Sequence, residues 1–336
     1  MCALELSPGV AAKYTRRSST IMSWITALPN PETPRTLRHF RMFAVLGTWM
    51  EADVVDATVR NAMMQGCEHV FVVDNDSVDD TVDIAVRAGA TLARSFKTDQ
   101  YDETLRLRHM NAVVEEVSQA EGDDYIWWLF LDADEFHHGP FGMTLFDYLK
   151  TLDEQFRVVG ARFFDHYPSG SPHYVPGRHP LDFQPLCEEL AVAMCPSRHR
   201  KHPLLRYDRN AAPIESDRGF HLVRCGDPIY EPAQAAFIHH FPFREKETTR
   251  RRLQALWAKR QDGSARALET SDTCTHMWAR FRSLDAVYAG KWAEVHNFLA
   301  LDPMYMSLPE PPAPLGVTVQ PWADQVQPEH QVVRRW

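Results

Sequence analysis

The sequence predicts an α/β fold in which strands and helices alternate around one central sheet. Short apolar runs, each typical of a buried strand, alternate with longer segments whose apolar residues recur at helical spacing. Two of these runs end in acidic clusters, at Asp74 to Asp80 and at Asp132 to Glu135. Carboxylates that follow buried strands lie where open α/β sheets bind ligands, so both clusters are candidate functional residues.

Length and composition are those of a globular protein that buries a large core. The chain has 336 residues, of which 44% are hydrophobic and 24% are charged. Its formal net charge of -9 argues against a nucleic-acid-binding protein, because polyphosphate backbones require a basic surface. The six cysteines form no CxxC pair, so we expect reduced thiols in a cytoplasmic protein. We expect no membrane span, because no apolar run is long enough.

The first half of the chain predicts three pairs of strand and helix before the acidic core strand. Residues 1–40 mix Ser, Thr, Pro and Arg without periodicity, and we expect a flexible extension there. The elements expected after it are strands at Phe43–Gly47, His69–Val73 and Ala90–Arg94 and helices at Glu51–Met64, Thr81–Arg87 and Asp102–Ala120. In these helices the apolar residues recur on one face, as they do in helices that pack on a sheet.

The core strand is the most informative stretch, and it reads WWLFLDADEF from Trp127 to Phe136. If the chain stays extended past the apolar run, Asp132 and Asp134 project to the same side and can share a hard cation such as Mg²⁺ or Mn²⁺. Such a cation would bridge the phosphates of a nucleotide. The simpler alternative is a strand-end turn whose acidic side chains cap backbone amides and face water.

The second acidic cluster reads DNDSVDDT and begins at Asp74, directly after a predicted strand. Such residues usually form a turn and cap the next helix. Asp74 also lies at the carboxyl end of its strand, where a carboxylate can accept a hydrogen bond from the imide nitrogen of a uracil or thymine ring. On the helix Asp102–Ala120, the face opposite the apolar one carries Arg106 and Arg108. An arginine there can contact a diphosphate, although a solvent-exposed cation is commoner.

The second half of the chain is less regular. The elements expected there are helices at Phe141–Leu152, Glu245–Arg260 and Met277–Leu299 and strands at Arg157–Phe164, Lys201–Tyr207, Phe220–Arg224 and Ala236–His240. A long loop rich in Pro, Gly, Ser and His follows the first of these strands, and we expect it to contribute to an acceptor pocket. The Trp-rich helix near the C-terminus packs on the catalytic domain or pairs two subunits in a homodimer.

A strand ending in VVDNDSVDDT, followed after a helix, strand and helix by a strand ending in LDADEF, resembles the glycosyltransferase family 2 type of GT-A enzyme. The resemblance covers residues 42–165 well and extends more thinly to about residue 250. It implies a GT-A fold, which is a Rossmann-like mixed sheet flanked by helices, here with a C-terminal helical extension. It also implies that Asp132-Ala133-Asp134 is the DxD motif, which holds a divalent metal and the ribose or diphosphate of a nucleotide sugar.

The same resemblance implies further ligand-binding residues. For the nucleotide base it implies Asp74 and its neighbours Asn75 and Asp76. Many GT-A enzymes supply a histidine metal ligand from the C-terminal part of the domain, which here implies His240, with His239 as the alternative if the register differs by one. A lone histidine on an apolar strand is more often a core residue.

Charge stabilisation and proton transfer complete the expected site. Arg108, Arg244 and Lys201 are the cations expected to contact the diphosphate. The basic runs Arg198–Lys201 and Arg250–Arg252 can each meet a phosphate, although solvated charge runs are commoner. Family resemblance implies inversion at the anomeric carbon and therefore a base that deprotonates the acceptor. The chain lacks the acidic pair that the family usually carries at a strand-to-helix junction. Asp217 is the first choice for the base, and Asp165, Glu215 and Asp227 are alternatives, although such residues are more often turn residues.

The predicted function is a glycosyltransferase that uses Mn²⁺ or Mg²⁺ to transfer a sugar from a nucleoside diphosphate donor, with UDP favoured, to a glycan or small-molecule hydroxyl. The predicted domains are the extension 1–40, a catalytic domain 41–245 with halves 41–138 and 139–245, helices 246–305 and a Pro-rich tail 306–336. A nucleotidyltransferase acting on a sugar phosphate is one alternative, although the loop Thr48–Asp53 is too acidic and glycine-poor to hold a triphosphate. A non-catalytic nucleotide- or glycan-binding protein of the same fold is the other.

Overall fold

The computed structural model describes residues 25–26, 36–37, 39–99, 102–168, 179–189, 201–261, 283–292, 295 and 320–321. Its strands are β1 Ile25–Thr26, β2 Arg41–Thr48, β3 His69–Asp74, β4 Thr91–Ser95, β5 Tyr125–Asp132, β6 Glu135–His138, β7 Val158–Tyr167, β8 Leu186–Glu189, β9 Lys201–Asp208, β10 Ile214–Asp217, β11 Leu222–Cys225, β12 Ile229–Tyr230, β13 Ala236–His240 and β14 Gln320–Pro321. Its helices are α1 Val55–Met64, α2 Thr81–Arg87, α3 Glu103–Glu121, α4 Leu145–Leu149 and α5 Lys246–Gln261, with a short 3₁₀ turn at Pro180–Asp182.

One ten-stranded mixed sheet organises the described residues. Its main order is β14-β8-β7-β9-β5-β2-β3-β4, and β13 pairs with both β7 and β6. The strands β2 to β5 that neighbour one another run parallel, whereas β9 is antiparallel to β5 and to β7. The predicted α/β class, a mixed sheet flanked by helices, is therefore confirmed.

Helices cover both faces of the parallel part of the sheet. Along β2, Met42, Ala44 and Leu46 pack in the same apolar cluster as α1, while Phe43 and Val45 pack with residues of α3 on the other face. Because both faces are covered, the central strands are apolar at every position rather than at alternate ones. This explains the unbroken apolar runs in the sequence.

The parallel strands bring the two acidic clusters to the same edge of the sheet. In the register of β2, Thr48 is paired with Asp74 of β3, and Gly47 is paired with Asp132 of β5. The carboxyl ends of β3 and β5 therefore flank the carboxyl end of β2. This is the edge where open α/β sheets bind ligands.

The chain does not stay extended through the acidic cluster Asp132–Glu135, so the condition for Asp132 and Asp134 to project to the same side of a strand is not met, and the alternative of a strand-end turn is what the structure has. Strand β5 ends at Asp132, a turn contains Ala133 and Asp134, and β6 begins at Glu135. The physical reason is a long-range pairing, because Glu135 pairs with His240 at the start of an antiparallel β6–β13 ladder. The turn redirects the chain toward β13.

In the second half, two predicted elements differ from the observed ones. The predicted helix Phe141–Leu152 is limited to α4, because Phe141 has φ 53° and helix formation begins only after the Thr144 cap. The segment before the predicted strand Phe220–Arg224 also contains a strand, since β10 and β11 form a hairpin. Of the helix expected at Met277–Leu299, the structure describes residues 283–292 and 295, and most of the extension 1–40 and the tail 306–336 lies outside the described residues.

Two properties of the described chain bear on the predictions from composition. Cys67, Cys187 and Cys225 are buried. Within the described ranges, no helix combines the length and apolar character needed to cross a membrane.

Candidate active site

Asp132 at the end of β5 is held by two cations. Its carboxylate accepts from Arg106 Nη1 of α3 at 2.7 Å and from Lys201 Nζ of β9 at 2.8 Å. Lys201 also bonds to Glu135. Burial favours the neutral acid, but Lys201 and Arg106 outweigh it and hold the pKa of Asp132 well below its ordinary value. Asp132 is therefore a carboxylate oriented by fixed cations.

Asp134, in the turn after β5, lies among three further cationic side chains of the described chain. Its Oδ2 is 3.2 Å from Arg252 Nη2, 3.6 Å from His240 Nε2 and 3.9 Å from Arg244 Nη2. The side chain is buried. Burial opposes ionisation, but His240 and Arg252 keep the pKa of Asp134 well below its ordinary value. Asp134 is an ionised carboxylate in a mostly enclosed position.

His240 is oriented by a second carboxylate. The parallel pairing of β13 with β7 places His240 opposite Asp165, and His240 Nδ1 donates to Asp165 Oδ1 at 2.5 Å. The proton is assigned to Nδ1 because an ionised carboxylate can only accept. The other ring nitrogen, Nε2, then faces Asp134. Burial lowers the pKa of His240, but Asp134 and Asp165 raise it to about 9.

His239 belongs to a different cluster. Neighbouring residues of a strand point to opposite sides, so His239 projects away from the side chain of His240. Its Nε2 is 2.9 Å from His138 Nε2, and its Nδ1 is 2.8 Å from His166 Nε2. The structure thus places His240, and not His239, beside Asp134.

An ion-pair network joins the loop after β2 to the start of α5. Arg244 bonds to Glu51 Oε2 at 2.7 Å and to Asp53 Oδ1 at 2.5 Å. Arg252, two turns further along, bonds to Glu51 and approaches Asp134. Arg244, a predicted ligand contact, lies at the site with its guanidinium engaged by these carboxylates.

Asp74 braces the turn after β3. Its Oδ1 accepts from Thr48 Oγ1 at 2.8 Å and from Ser77 Oγ at 2.6 Å, and its Oδ2 accepts from the Ser77 backbone amide at 2.8 Å. Asn75 exchanges hydrogen bonds of 3.1 Å with the Thr98 hydroxyl. Asp76 has φ 55° and pairs with Lys97 at 2.8 Å. Asp74 is therefore a structural residue of this turn, and Asn75 and Asp76 lie beside it.

The other predicted site residues differ in the contacts that they make. Arg106 contacts Asp132, whereas Arg108 is exposed. Asp217 accepts from Arg224 at 2.8 Å and from the backbone amide of the next residue at 2.9 Å. Asp165 lies at the site, but as the partner of His240. The carboxyl group of Asp227 accepts from the backbone of Ala212.

Sequence reasoning missed Glu51 and Asp53 as residues of the site. In the sequence, the acidic residues after β2 count only as evidence against a triphosphate loop. Arg252 belongs to the basic run Arg250–Arg252, for which a phosphate partner was considered, but its contacts with Glu51 and Asp134 were not expected. The carboxylates that such a run meets are not visible in the sequence.

The donor atoms at the site suit a divalent cation whose remaining ligands come from a bound substrate. Within the described ranges, no group of three or more His, Cys, Asp or Glu side chains forms a complete metal site. Asp134 Oδ2 and His240 Nε2 nevertheless converge, and Asp165 fixes the imidazole as carboxylates commonly do for metal-bound histidines. A carboxylate and an imidazole suit Mn²⁺, and Mg²⁺ usually completes its shell with water and phosphate oxygens.

Comparison with known proteins finds one family model that matches part of the chain. Residues 44–194 match the model of Glycosyl transferase family 2. The match includes β3, β5 and both acidic clusters, so the resemblance inferred from these motifs is confirmed. No curated protein sequence matches the chain significantly.

Solved structures similar to part of this chain include glucosyl-3-phosphoglycerate synthase from Mycobacterium tuberculosis. Its complex with Mg²⁺ and uridine diphosphate is 17% identical, with a TM-score of 0.25, over 37% of this chain and 43% of that chain. Its complex with Mn²⁺, UDP-glucose and glycerol 3-phosphate is 18% identical, with a TM-score of 0.24, over 37% and 44%. The match therefore spans less than half the length of either protein.

Proposed function

We propose that this protein is a metal-dependent glycosyltransferase that transfers a sugar from a nucleoside diphosphate sugar to a hydroxyl acceptor. One observation carries the proposal. Asp134, which lies in the segment that matches the family 2 model, and His240, which lies beyond that segment, converge at the edge of the sheet where Asp74 and Asp132 also lie. Convergent donors at that edge are what a metal and nucleotide site requires.

Asp134 and His240 are the residues that would hold the cation, with Asp165 orienting the histidine. When bound, Mn²⁺ or Mg²⁺ neutralises charge on the leaving diphosphate. Arg106 and Lys201 keep Asp132 ionised and fixed, so that it can accept a hydrogen bond from the ribose or sit beside the metal.

The donor base is assigned to the turn after β3. Three hydrogen bonds to Asp74 hold this turn in one conformation. Asn75 and Asp76 then offer an amide and a carboxylate next to it, and a uracil ring presents both a donor and acceptors to such groups. This arrangement makes UDP the first donor nucleotide to test.

The base that would deprotonate the acceptor hydroxyl is predicted from the sequence. Asp165 is bonded to His240, which supports a role in positioning the metal ligand. Asp217 remains the first candidate for the base that an inverting reaction requires, although its carboxylate is bonded to Arg224. The acceptor class, a glycan or a small molecule with a free hydroxyl, follows from the family rather than from this site.

The site disfavours the nucleotidyltransferase alternative. The loop after β2 carries Glu51 and Asp53, and both are engaged by arginines of the C-terminal part of the domain. A triphosphate-gripping loop requires free backbone amides and cations at this position. This loop instead carries acidic side chains that pair with arginines.

A thermal-shift experiment tests the proposed function. Purified protein is heated with UDP, TDP, GDP, ADP or CDP, each with and without Mn²⁺. A ligand that binds only the native state at 100 times its Kd adds about 2.7 kcal/mol to the free energy of unfolding. We expect one diphosphate, UDP, to raise the Tm only when Mn²⁺ is present, and Asp134→Asn to remove that shift. No metal-dependent shift with any nucleotide would refute the proposal.

A further inference from the structure

Arg252 lies where a metal ion would have to bind. Its Nη2 is 3.2 Å from Asp134 Oδ2, the same oxygen that faces His240 Nε2. Its guanidinium also bonds to Glu51 Oε1. A cation held between this oxygen and His240 Nε2 would lie close to the guanidinium, and the two positive charges would repel each other. Arg252 and a metal ion therefore compete for Asp134.

Arg252 is better suited to move than its neighbour Arg244. The Arg244 side chain is only 2% exposed and is fixed by both Glu51 and Asp53. The Arg252 side chain is 17% exposed, and its contact with Asp134 is longer than the ~2.7–2.9 Å typical of charge-assisted hydrogen bonds. Glu51 keeps Arg252 at the site when the contact with Asp134 is lost.

We propose that Arg252 is a placeholder for the metal. In the ligand-free protein its guanidinium neutralises Asp134, and when metal and donor bind the guanidinium contacts the diphosphate instead. The inference rests on the proposed function, because it requires a metal and a diphosphate at this site. A buried carboxylate without a cation is costly, so some positive charge must accompany Asp134 in each state. The diphosphate supplies a new anionic partner for the displaced guanidinium.

The consequence is that metal and donor bind together. Metal alone displaces Arg252 from Asp134 and gives its guanidinium no new anion in exchange. When the diphosphate binds with the metal, it provides that anion. The two ligands are then positively coupled through Arg252. Such coupling would limit the binding of metal by the empty enzyme.

The test is the substitution Arg252→Gln, which removes the competing charge but keeps a polar side chain of similar reach. We expect Mn²⁺ alone to bind about tenfold more tightly and UDP, at saturating Mn²⁺, to bind about tenfold more weakly, since couplings of this size are common. These changes have opposite signs. A purely structural role for Arg252 would weaken both.

The experiment measures free Mn²⁺ by electron paramagnetic resonance and UDP affinity by calorimetry, with the full chain. The matched control is Arg250→Gln on the same helix, whose arginine pairs with Glu247 and Asp285 and is expected to change neither affinity. Arg252→Lys keeps the charge but cannot bridge two carboxylates as a guanidinium does, and we expect the same two signs at smaller size. It also serves if the glutamine variant fails to fold.

The possible failures are distinguishable. Wild-type protein that binds no Mn²⁺ in the presence of any nucleoside diphosphate would refute the proposed function. The other failure is that wild-type protein binds Mn²⁺ with UDP but the Arg252 variants bind Mn²⁺ alone with unchanged or weaker affinity. This result would refute the placeholder role of Arg252 and leave the proposed function standing.

Discussion

Replacing Asp165 distinguishes a residue that positions a metal ligand from a catalytic base. Asp165 is buried, and its Oδ1 accepts the proton of His240 Nδ1. In Asp165→Asn the amide oxygen can still accept this hydrogen bond, so mainly the charge is lost. In Asp165→Ala the buried donor has no partner, which costs about 1–3 kcal/mol. We therefore expect both substitutions to weaken metal binding, and Asp165→Ala to weaken it more than Asp165→Asn.

The magnitude follows from the role of the carboxylate behind the imidazole. Loss of such a partner typically weakens metal binding by about 10- to 100-fold. We expect Asp165→Asn near the lower figure and Asp165→Ala near the upper one. The assay is UDP release from UDP-glucose as a function of Mn²⁺ concentration, combined with Mn²⁺ affinity in the presence of UDP.

The two roles predict different Mn²⁺ dependences. If Asp165 positions His240, the variants require more Mn²⁺ but recover most of kcat when it is saturating. If Asp165 is the base, kcat falls by about 10²-fold or more at every Mn²⁺ concentration while Mn²⁺ affinity stays unchanged. The second result would refute the positioning role.

Three further substitutions test other parts of the structure. Asp217→Asn removes the candidate base and breaks an ion pair of the β10–β11 hairpin, so we expect kcat to fall by about 10²-fold and denaturant melts to show a loss of about 0.2–1 kcal/mol. A retained kcat would exclude Asp217 as the base. Gly47→Ala places a Cβ 2.7 Å from Arg106 Nη1 and must displace that guanidinium, so we expect weaker Mn²⁺–UDP binding by calorimetry; unchanged affinity would show that the guanidinium is not needed for donor binding. Ser118→Ala leaves the buried Trp128 indole N–H, now 2.8 Å from the serine hydroxyl, without its acceptor, so we expect a loss of about 1–3 kcal/mol in urea melts; a loss below about 0.5 kcal/mol would contradict this.

The sequence was sufficient for the parts of the fold that depend on local pattern. The runs that form β2, β3 and β5 are apolar at every position because helices cover both faces, and the acidic residues after them mark the strand ends. Because parallel strands end at one edge, the sequence alone is enough to place Asp74 and Asp132 close together.

The sequence did not indicate which distant segments pair with each other. The turn at Asp134 exists because β6 pairs with β13, and the choice between His239 and His240 depends on the register of β13 against β7. The contact between Arg252 and Asp134 joins residues 118 positions apart. Nothing local to an arginine-rich helix indicates which carboxylate it will meet.

The most direct test of the central claim is to detect the nitrogen ligand of the metal. Protein labelled with ¹⁵N at histidine is mixed with Mn²⁺ and UDP, and electron spin echo modulation is recorded for wild type and for His240→Gln. The account predicts a ¹⁵N coupling to Mn²⁺ in the wild type that is absent from His240→Gln and kept in His239→Gln. A wild-type complex with bound Mn²⁺ and UDP but no histidine coupling, or a coupling that survives in His240→Gln, would contradict it.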